Sequence, residues 1–183
     1  MNGHHLILGE LVDFITGKPL ADTHDERYRQ KLARLLVNHK GFSKREIQSD
    51  FKLKIRADQK KAIVPIDFVI SLAGKICMII KYGPGSLVTR HRSALAAARL
   101  VAKYQIPIVA VTNGEKADIL LGETGKVHAQ GLASIPGRQD LLARMQDFRF
   151  TPISGKQAEM ESRIVYCYEV DDSCPCDDTV CRL

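Results

Sequence analysis

The spacing of hydrophobic residues along the chain changes several times between the period of a helix and the period of two that is typical of a strand. Near the start, Thr23 and Glu26 have the spacing of a capping box, which marks the first turn of a helix. The apolar side chains that follow recur three and four residues apart, at Tyr28, Leu32, Leu35 and Leu36. We therefore predict a first helix that begins at Thr23 and is closed by Gly41.

Three strand-like segments follow this helix. The segment EIQSDFKLKIR alternates with period two, whereas AIVPIDFVIS and KICMIIKY are rich in isoleucine and valine and are joined by the short turn LAG. Runs of this kind, separated by a turn of a few residues, are typical of neighbouring antiparallel strands. The pattern predicts a meander of three strands.

The second half of the chain returns to alternating helices and strands. A helix is predicted over residues 88–104, with small side chains on the face that packs on a sheet, at Ala94, Ala97, Ala98 and Val101. The segment IPIVAVT predicts a buried strand, Asn113-Gly114 predicts a turn, and ADILLGETGKVHA predicts a further strand and a hairpin. Two helices are then predicted, in RQDLLARMQDF and SGKQAEMESRIVYCYEV. The order α-β-β-β-α-β, followed by these extra elements, predicts an α/β fold.

The composition is that of a globular protein of ordinary size. The chain has 183 residues, of which 45% are hydrophobic and 26% are charged, so we expect one core domain over residues 20–150. Residues 1–19 then form an N-terminal extension, and residues 151–183 form a C-terminal helix with a cysteine-rich tail. No stretch approaches roughly 18 uninterrupted apolar residues, so we expect a cytoplasmic protein with no membrane partner. The net charge of +6 favours polyanionic partners.

Candidate chemistry lies on two neighbouring strands of the meander. Asp67 is a single acid within the apolar run PIDFVI, and Lys81 lies near the end of the next strand, so both are expected at the same end of the sheet. A carboxylate in an apolar strand is costly unless it pairs with a cation or binds a metal ion. Two interpretations remain open: a metal site that contains both residues, or an ion pair between Asp67 and Lys81.

The order and spacing of four segments resemble a known group of enzymes. These segments are THDERYRQKLARLL in the first helix, PIDFVI, MIIKYGP and YQIPIVAVTNG, and they fall between about residues 20 and 128. The chain resembles the PD-(D/E)xK nuclease superfamily. More narrowly, it resembles stand-alone proteins related to the N-terminal nuclease domain of the type I restriction enzyme R subunit, the HsdR N-terminal family.

The resemblance implies a restriction-endonuclease-like αβββαβ core with a mixed central sheet, and a site for Mg²⁺ or Mn²⁺. Asp67, the main-chain carbonyl of Ile80 and Glu26 would bind the metal ion, and Lys81 would serve the attacking water. The catalytic residues are thus Asp67, Lys81 and Glu26. The sequence departs from the family pattern at Ile79, where a second acid is required, and neither residues 68–80 nor residues 82–114 contain an Asp or Glu that replaces it.

The predicted second helix carries a basic stripe. Arg92, Arg99 and Lys103 fall on one face at helical spacing, and Arg90 lies near the first turn. Side chains in this arrangement bind the phosphates of a DNA backbone without reading its sequence. The alternative is a solvated helix face without a partner.

The five cysteines divide into a tail cluster and one core position. Cys77 lies inside an apolar strand and is expected to fill the core. The others crowd into the last 17 residues, a number of thiols that suits one Zn²⁺ ion or an iron-sulfur cluster, at Cys167, Cys174, Cys176 and Cys181. Free thiols or an adventitious disulfide are the alternative.

Three functional hypotheses follow from these features. The first is a Mg²⁺-dependent DNA endonuclease that hydrolyses phosphodiester bonds with a reduced ligand set. The second is a nuclease-fold DNA-binding or scaffolding module that has lost catalysis, and the third is a metal-binding or redox module that uses the C-terminal cysteines. A homodimer or a partner subunit is compatible with the first two.

Overall fold

Residues 7–170 are described by the computed structural model, and they form a mixed α/β fold. Within them, four α-helices lie along the chain: α1 (His24–Asn38), α2 (Val88–Leu100), α3 (Arg138–Asp147) and α4 (Gly155–Glu169). A two-stranded hairpin, β1 (Glu10–Val12) and β2 (Pro19–Ala21), precedes α1. The larger sheet has six strands: β3 (Ile47–Ala57), β4 (Lys60–Leu72), β5 (Lys75–Tyr82), β6 (Ile108–Thr112), β7 (Ala117–Leu121) and β8 (Val127–Gln130).

The six strands lie side by side in the order in which they occur in the chain. All neighbours are antiparallel except β5 and β6, which are parallel and are connected by α2. A parallel pair needs a crossover connection, which explains why a helix interrupts the series of strands at this point. The predicted three-strand meander and the later strand and hairpin are confirmed.

Helices cover both faces of the sheet and enclose two hydrophobic cores. The first core lies between the sheet, α1 and α3, and its fully buried members include Leu36, Ile80 and Leu141. The second core lies between the opposite face, α2 and α4, where Ile79 and Val165 are fully buried. None of the described helices is both long enough and apolar enough to cross a membrane.

The start of α1 agrees with the predicted N-cap. The Thr23 hydroxyl accepts a hydrogen bond of 3.1 Å from the Glu26 amide, which satisfies one of the free amides of the first turn. The Glu26 side chain has other partners, Gln30 and Arg29, and is therefore directed into the site described below. After the helix, Gly41 has φ of +75°, the left-handed conformation that closes a helix and that glycine adopts at least cost.

Helix α2 is shorter than predicted, and this corrects the assignment of Lys103. The helix ends at Leu100, and Tyr104 forms an isolated bridge with Pro152. Proline at position 107 disfavours helical backbone at the preceding residue, so the chain must leave the helix before β6. Lys103 consequently lies beyond the helix and does not belong to a stripe on its surface.

Both terminal segments pack onto the central fold. The β1–β2 hairpin is fastened to α1 by Gln30, whose side chain accepts a hydrogen bond from the Phe14 amide and donates one to Asp13. Burial alone would raise the pKa of Asp13, but the Thr16 amide and Gln30 lower it below its ordinary value. At the other end, Val165 of α4 is fully buried in the second core.

Gly122 is expected to tolerate no side chain. A Cβ atom at this position would collide with the Ile106 carbonyl oxygen and lie 2.7 Å from the Gln105 amide nitrogen. Because a backbone atom cannot move aside cheaply, Gly122→Ala should lower the free energy of unfolding by about 2 kcal/mol. The matched control is Gly155→Ala, where the added Cβ meets nothing within 4 Å. Equal stability of the two variants in urea titrations would refute this expectation.

Candidate functional site

A cleft of about 480 Å³ lies between the β1–β2 hairpin, α1 and the β3–β4 strands. Its charged lining mixes four carboxylates with three basic side chains, namely Asp13, Glu26, Asp50, Asp67, Lys18, Arg29 and Lys52. The cleft thus brings together two of the three predicted catalytic residues, Glu26 and Asp67. Lys81 is not part of the lining.

At Asp67 the regular alternation of side chains along β4 is interrupted, so that residues on either side of it face opposite sides of the sheet. Ile66 belongs to the second core and Phe68 to the first, although alternate residues of a regular strand share a face. On the neighbouring strand, Asp50 has φ of +50°, so β3 is distorted at the same level. This distortion directs the Asp67 carboxylate toward α1.

The Asp67 carboxylate has both of its oxygens satisfied within the protein. Oδ1 accepts a hydrogen bond of 2.6 Å from Arg29 Nε, and Oδ2 accepts one of 2.7 Å from the Tyr82 amide. The side chain is only 9% exposed. A carboxylate this deeply buried needs such partners, because an isolated charge would be strongly destabilising.

Arg29 connects the two carboxylates. Its Nη1 lies 3.4 Å from Glu26 Oε2, while Nε binds Asp67, and its guanidinium lies 5.2 Å from the centre of the Tyr82 ring. Burial opposes the charged form of Arg29, but the charge and hydrogen bond of Asp67, together with the charges of Glu26 and Asp25, outweigh it and raise the pKa. Burial, and then the hydrogen bond that Tyr82 donates to Asp25, raise the pKa of the Tyr82 hydroxyl.

Lys81 points away from Asp67, so the ion pair between them, which was the alternative to a shared metal site, is not formed. Its ammonium group donates to the Pro65 carbonyl at 2.9 Å and lies 3.1 Å from Glu169 Oε2 on α4. The reason is the alternation of side chains along β5, because Lys81 follows Ile79 on the face of the second core. The cation that pairs with Asp67 is Arg29.

With the side chains arranged in this way, the cleft does not present the ligand set of a magnesium site. Asp67 and Glu26 share the Arg29 guanidinium, and Ile79 is fully buried in the second core. Ile80 lies inside the sheet between Phe68 and Ala110, with a fully buried side chain. Within residues 7–170, no three His, Cys, Asp or Glu side chains are grouped closely enough to hold a metal ion, whereas Mg²⁺ requires near-octahedral oxygen ligands.

The sequence comparison identifies the family. A family model described as the type I restriction enzyme R protein N terminus (HSDR_N) matches residues 24–136, which is more than half of the chain. The chain belongs to this family. No curated protein and no solved structure gives a match. The matched range runs from α1 beyond β8 and includes Glu26, Arg29, Asp67 and Lys81.

Most of the basic side chains predicted to form a stripe on α2 bind other groups of the protein. Arg92 and Arg99 both donate hydrogen bonds to the buried Glu161 of α4, at 2.7 and 2.6 Å. Arg90 donates to the Pro84 carbonyl at 2.8 Å. These arginines therefore fasten α2 to α4 or to the preceding turn, and DNA binding through them stays a prediction.

Most of the predicted cysteine cluster lies outside the described residues. This applies to Cys174, Cys176 and Cys181, and a Zn²⁺ or iron-sulfur site there stays a prediction. Cys167 is exposed on α4. Cys77 is buried, and burial raises the pKa of its thiol to about 12, in keeping with its expected place in the core.

Several residues that determine the site were not recognised in the sequence. Arg29, Tyr82 and Gln30 hold the carboxylates of the cleft, and Glu161 and Glu169 bind the basic side chains of α2 and β5. One signal for Arg29 was available, because it follows Glu26 by three residues and therefore lies beside it on a helix. The partners on α4 had no local signal.

Proposed function

We propose that this chain is a restriction-endonuclease-like domain of a restriction system that binds nucleic acid without metal-dependent cleavage. The supporting observation is Arg29, whose guanidinium contacts both Asp67 and Glu26. Within the PD-(D/E)xK interpretation, those carboxylates would hold the divalent cation. In this chain the guanidinium of Arg29, a cation that belongs to the protein itself, contacts both carboxylates.

The energetic comparison favours the arginine over a metal ion. A divalent cation held by one or two carboxylates binds weakly, because it gives up water molecules that Mg²⁺ releases reluctantly. Arg29 lies on the same helix as Glu26, so its contact with the carboxylates costs no translational entropy. A metal ion taken from solution would lose this entropy on binding. Its planar fork also contacts two carboxylates at once, which an ammonium group would do less well.

The nucleic-acid part of the proposal is supported by family membership and by charge. The family is that of a restriction-enzyme subunit segment, and the chain has a net charge of +6. Because sequence-independent binding to a polyanion depends on exposed lysines and arginines, it needs neither Asp67 nor a metal ion. DNA is therefore the expected partner.

A Mg²⁺-dependent deoxyribonuclease remains the second candidate, since Asp67 and Glu26 do line one cleft as the endonuclease hypothesis requires. In that case Arg29 would have to leave both carboxylates before a metal ion could bind. Any cleavage should then depend on Asp67 as well as on the metal. The two candidates differ in this dependence, which the experiments below exploit.

Binding of DNA should be independent of divalent cations. We expect a labelled duplex to bind equally well in Mg²⁺ and in EDTA, and to dissociate as salt is raised, because phosphate contacts release counterions. Fluorescence anisotropy measures both effects. Absence of binding at low salt, or binding that EDTA abolishes, would overturn the proposal. Asp67→Asn serves as the control, since it removes the site charge and should leave binding intact.

A further inference from the structure

One face of the β3–β4 hairpin is exposed and strongly basic. Residues 60–66 of β4 pair with β3, whereas the pairing of β4 with β5 begins only at Phe68. This part of the hairpin therefore extends beyond the rest of the sheet. Its exposed positions alternate with buried ones, and the exposed set comprises Lys52, Lys54, Arg56, Lys61, Ile63 and Pro65.

The opposite face of the hairpin is buried, which fixes the direction of the basic side chains. Leu53, Ile55 and Val64 belong to the second core. Helix α4 covers this side, where Arg163 binds Asp58 at 2.7 Å at the hairpin turn. Because side chains alternate along a strand, the lysines between these core residues face solvent on the other side.

The cations on this face have few partners. Lys52 contacts Asp50 at 2.6 Å, and Arg56 donates to the Asp58 carbonyl at 3.1 Å. Within residues 7–170, neither Lys54 nor Lys61 has a carboxylate within ion-pairing distance. The face thus presents four positive side chains, and the nearest carboxylates lie at its two ends.

Arg56 and Lys61 are direct cross-strand partners. Like charges placed opposite each other destabilise a strand pair, so this arrangement costs stability in the isolated chain. A bound polyanion would remove the repulsion. The exposed Ile63, which is 60% accessible, lies opposite Lys54 and adds apolar surface between the cations.

The basic face continues into the cleft. Lys52 and Pro65 belong to the exposed face and also line the cleft that contains Asp67. From Lys52 to Arg56 the strand rises about 14 Å, since each of the four steps adds about 3.4 Å. Measured along the duplex axis, successive phosphates of one strand are about 3.4 Å apart, so the basic side chains of β3 extend over about four such steps.

We propose that this face, formed by Lys52, Lys54, Arg56 and Lys61, binds the phosphodiester backbone of a nucleic acid and leads it to the cleft. The proposal deepens the proposed function and rests on it. Binding occurs through a β-ribbon rather than through α2, whose Arg92 and Arg99 are engaged by Glu161. Base-specific recognition is not expected, because lysine contacts to phosphate carry no sequence information.

The double variant Lys54→Gln/Lys61→Gln tests this surface. Measured by fluorescence anisotropy on a labelled duplex, its affinity should fall about tenfold or more at about 50 mM salt. The slope of log affinity against log salt should decrease by about 1.8, since each lost phosphate contact removes about 0.9. Lys61→Gln alone should also leave the chain at least as stable as before, because it relieves the repulsion with Arg56.

The matched control is Lys116→Gln/Lys126→Gln, which changes the net charge equally at two exposed positions in the β6–β7 and β7–β8 connections, away from β3 and β4 in the strand order. Its affinity and salt slope should equal those of the native chain. If both double variants lose the same affinity, or if Lys54→Gln/Lys61→Gln binds as tightly as the native chain, this face is not the binding surface. The proposed function would be unaffected by either result. Failure of the native chain to bind any nucleic acid would overturn both.

Parallel titrations with a single-stranded oligonucleotide and with RNA identify the preferred backbone. Vesicles containing anionic lipid test the other polyanionic surface that a basic ribbon can bind. If native protein binds the vesicles through Lys54 and Lys61 but does not bind nucleic acid, the proposal is wrong. Circular dichroism of every variant at the assay temperature ensures that a loss of binding is not a loss of fold.

Discussion

Replacing Glu161 by alanine should destabilise the protein by about 4 kcal/mol, the larger of the two strongest effects that we expect. Glu161 is buried, with a side chain only 5% exposed, and it binds both Arg92 and Arg99. Its removal leaves the positive charge of Arg99, which is mostly buried, without its carboxylate partner. The measurement is the free energy of unfolding from urea titration at neutral pH.

Glu159 is the matched control for this experiment. It lies on the same helix and also forms an ion pair, at 2.9 Å with Arg163, but its side chain is 59% exposed. Exposed pairs contribute little, so Glu159→Ala should cost less than about 1 kcal/mol. Similar losses in the two variants would show that Glu161 does not fasten α2 to α4.

Removing the charge of Arg29 should have the second largest effect. Arg29→Met keeps the aliphatic stem against Tyr82 but leaves the buried Asp67 carboxylate without its cation. Because the Arg29 side chain is itself 35% exposed, we expect a loss near the low end for broken buried pairs, about 3 kcal/mol. Arg27→Met is the control, since Arg27 pairs with Asp22 at the surface.

A double-mutant cycle then isolates the interaction between Arg29 and Asp67. In Arg29→Met/Asp67→Asn, no unpaired charge remains, so the loss should be smaller than the sum of the two single losses by about 1–3 kcal/mol. Urea titrations of the four proteins give this coupling. Strict additivity would mean that the guanidinium and the carboxylate do not depend on each other.

The elements that could be predicted from sequence are those with strong local signals. The capping threonine at position 23, the period-two alternation of β3 and the apolar runs of β4 and β5 each describe a short segment by itself. Their order along the chain then indicated the antiparallel meander and an α/β fold, because few connections are compatible with such a series.

The arrangement of the site depended on information that a linear pattern does not contain. Asp67 was identified as a buried acid, yet the direction of its side chain depends on a distortion shared with Asp50 on the neighbouring strand. The partners of Lys81 and Arg92 come from α4, more than 65 residues away in each case. A sequence shows which charges need partners, but not which distant residue supplies them.

The basic residues show that a regular spacing of cations does not reveal which of them stay exposed in the folded chain. Both β3 and α2 carry regularly spaced cations, and residues 82–114 around the helix contain no acid. In the folded chain a buried glutamate from α4 binds Arg92 and Arg99. The lysines of β3, which alternate with core residues, remain exposed.

The burial of Ile79 also affects how cleavage by this chain should be tested. A glutamate at position 79 would enter the second core among α2 and β6 side chains, where an unpaired carboxylate is strongly destabilising. Ile79→Glu is therefore unsuitable as a test of restored cleavage. The native chain compared with Asp67→Asn is the informative pair.

The decisive measurement is conversion of supercoiled plasmid to nicked circle by native protein and by Asp67→Asn, in Mg²⁺, in Mn²⁺ and in EDTA. With Arg29 held between Asp67 and Glu26, we expect no nicking above the protein-free background in any condition, while the plasmid is retarded on a gel in all three. Nicking by the native chain that requires a divalent cation and disappears in Asp67→Asn would contradict this and establish a working nuclease.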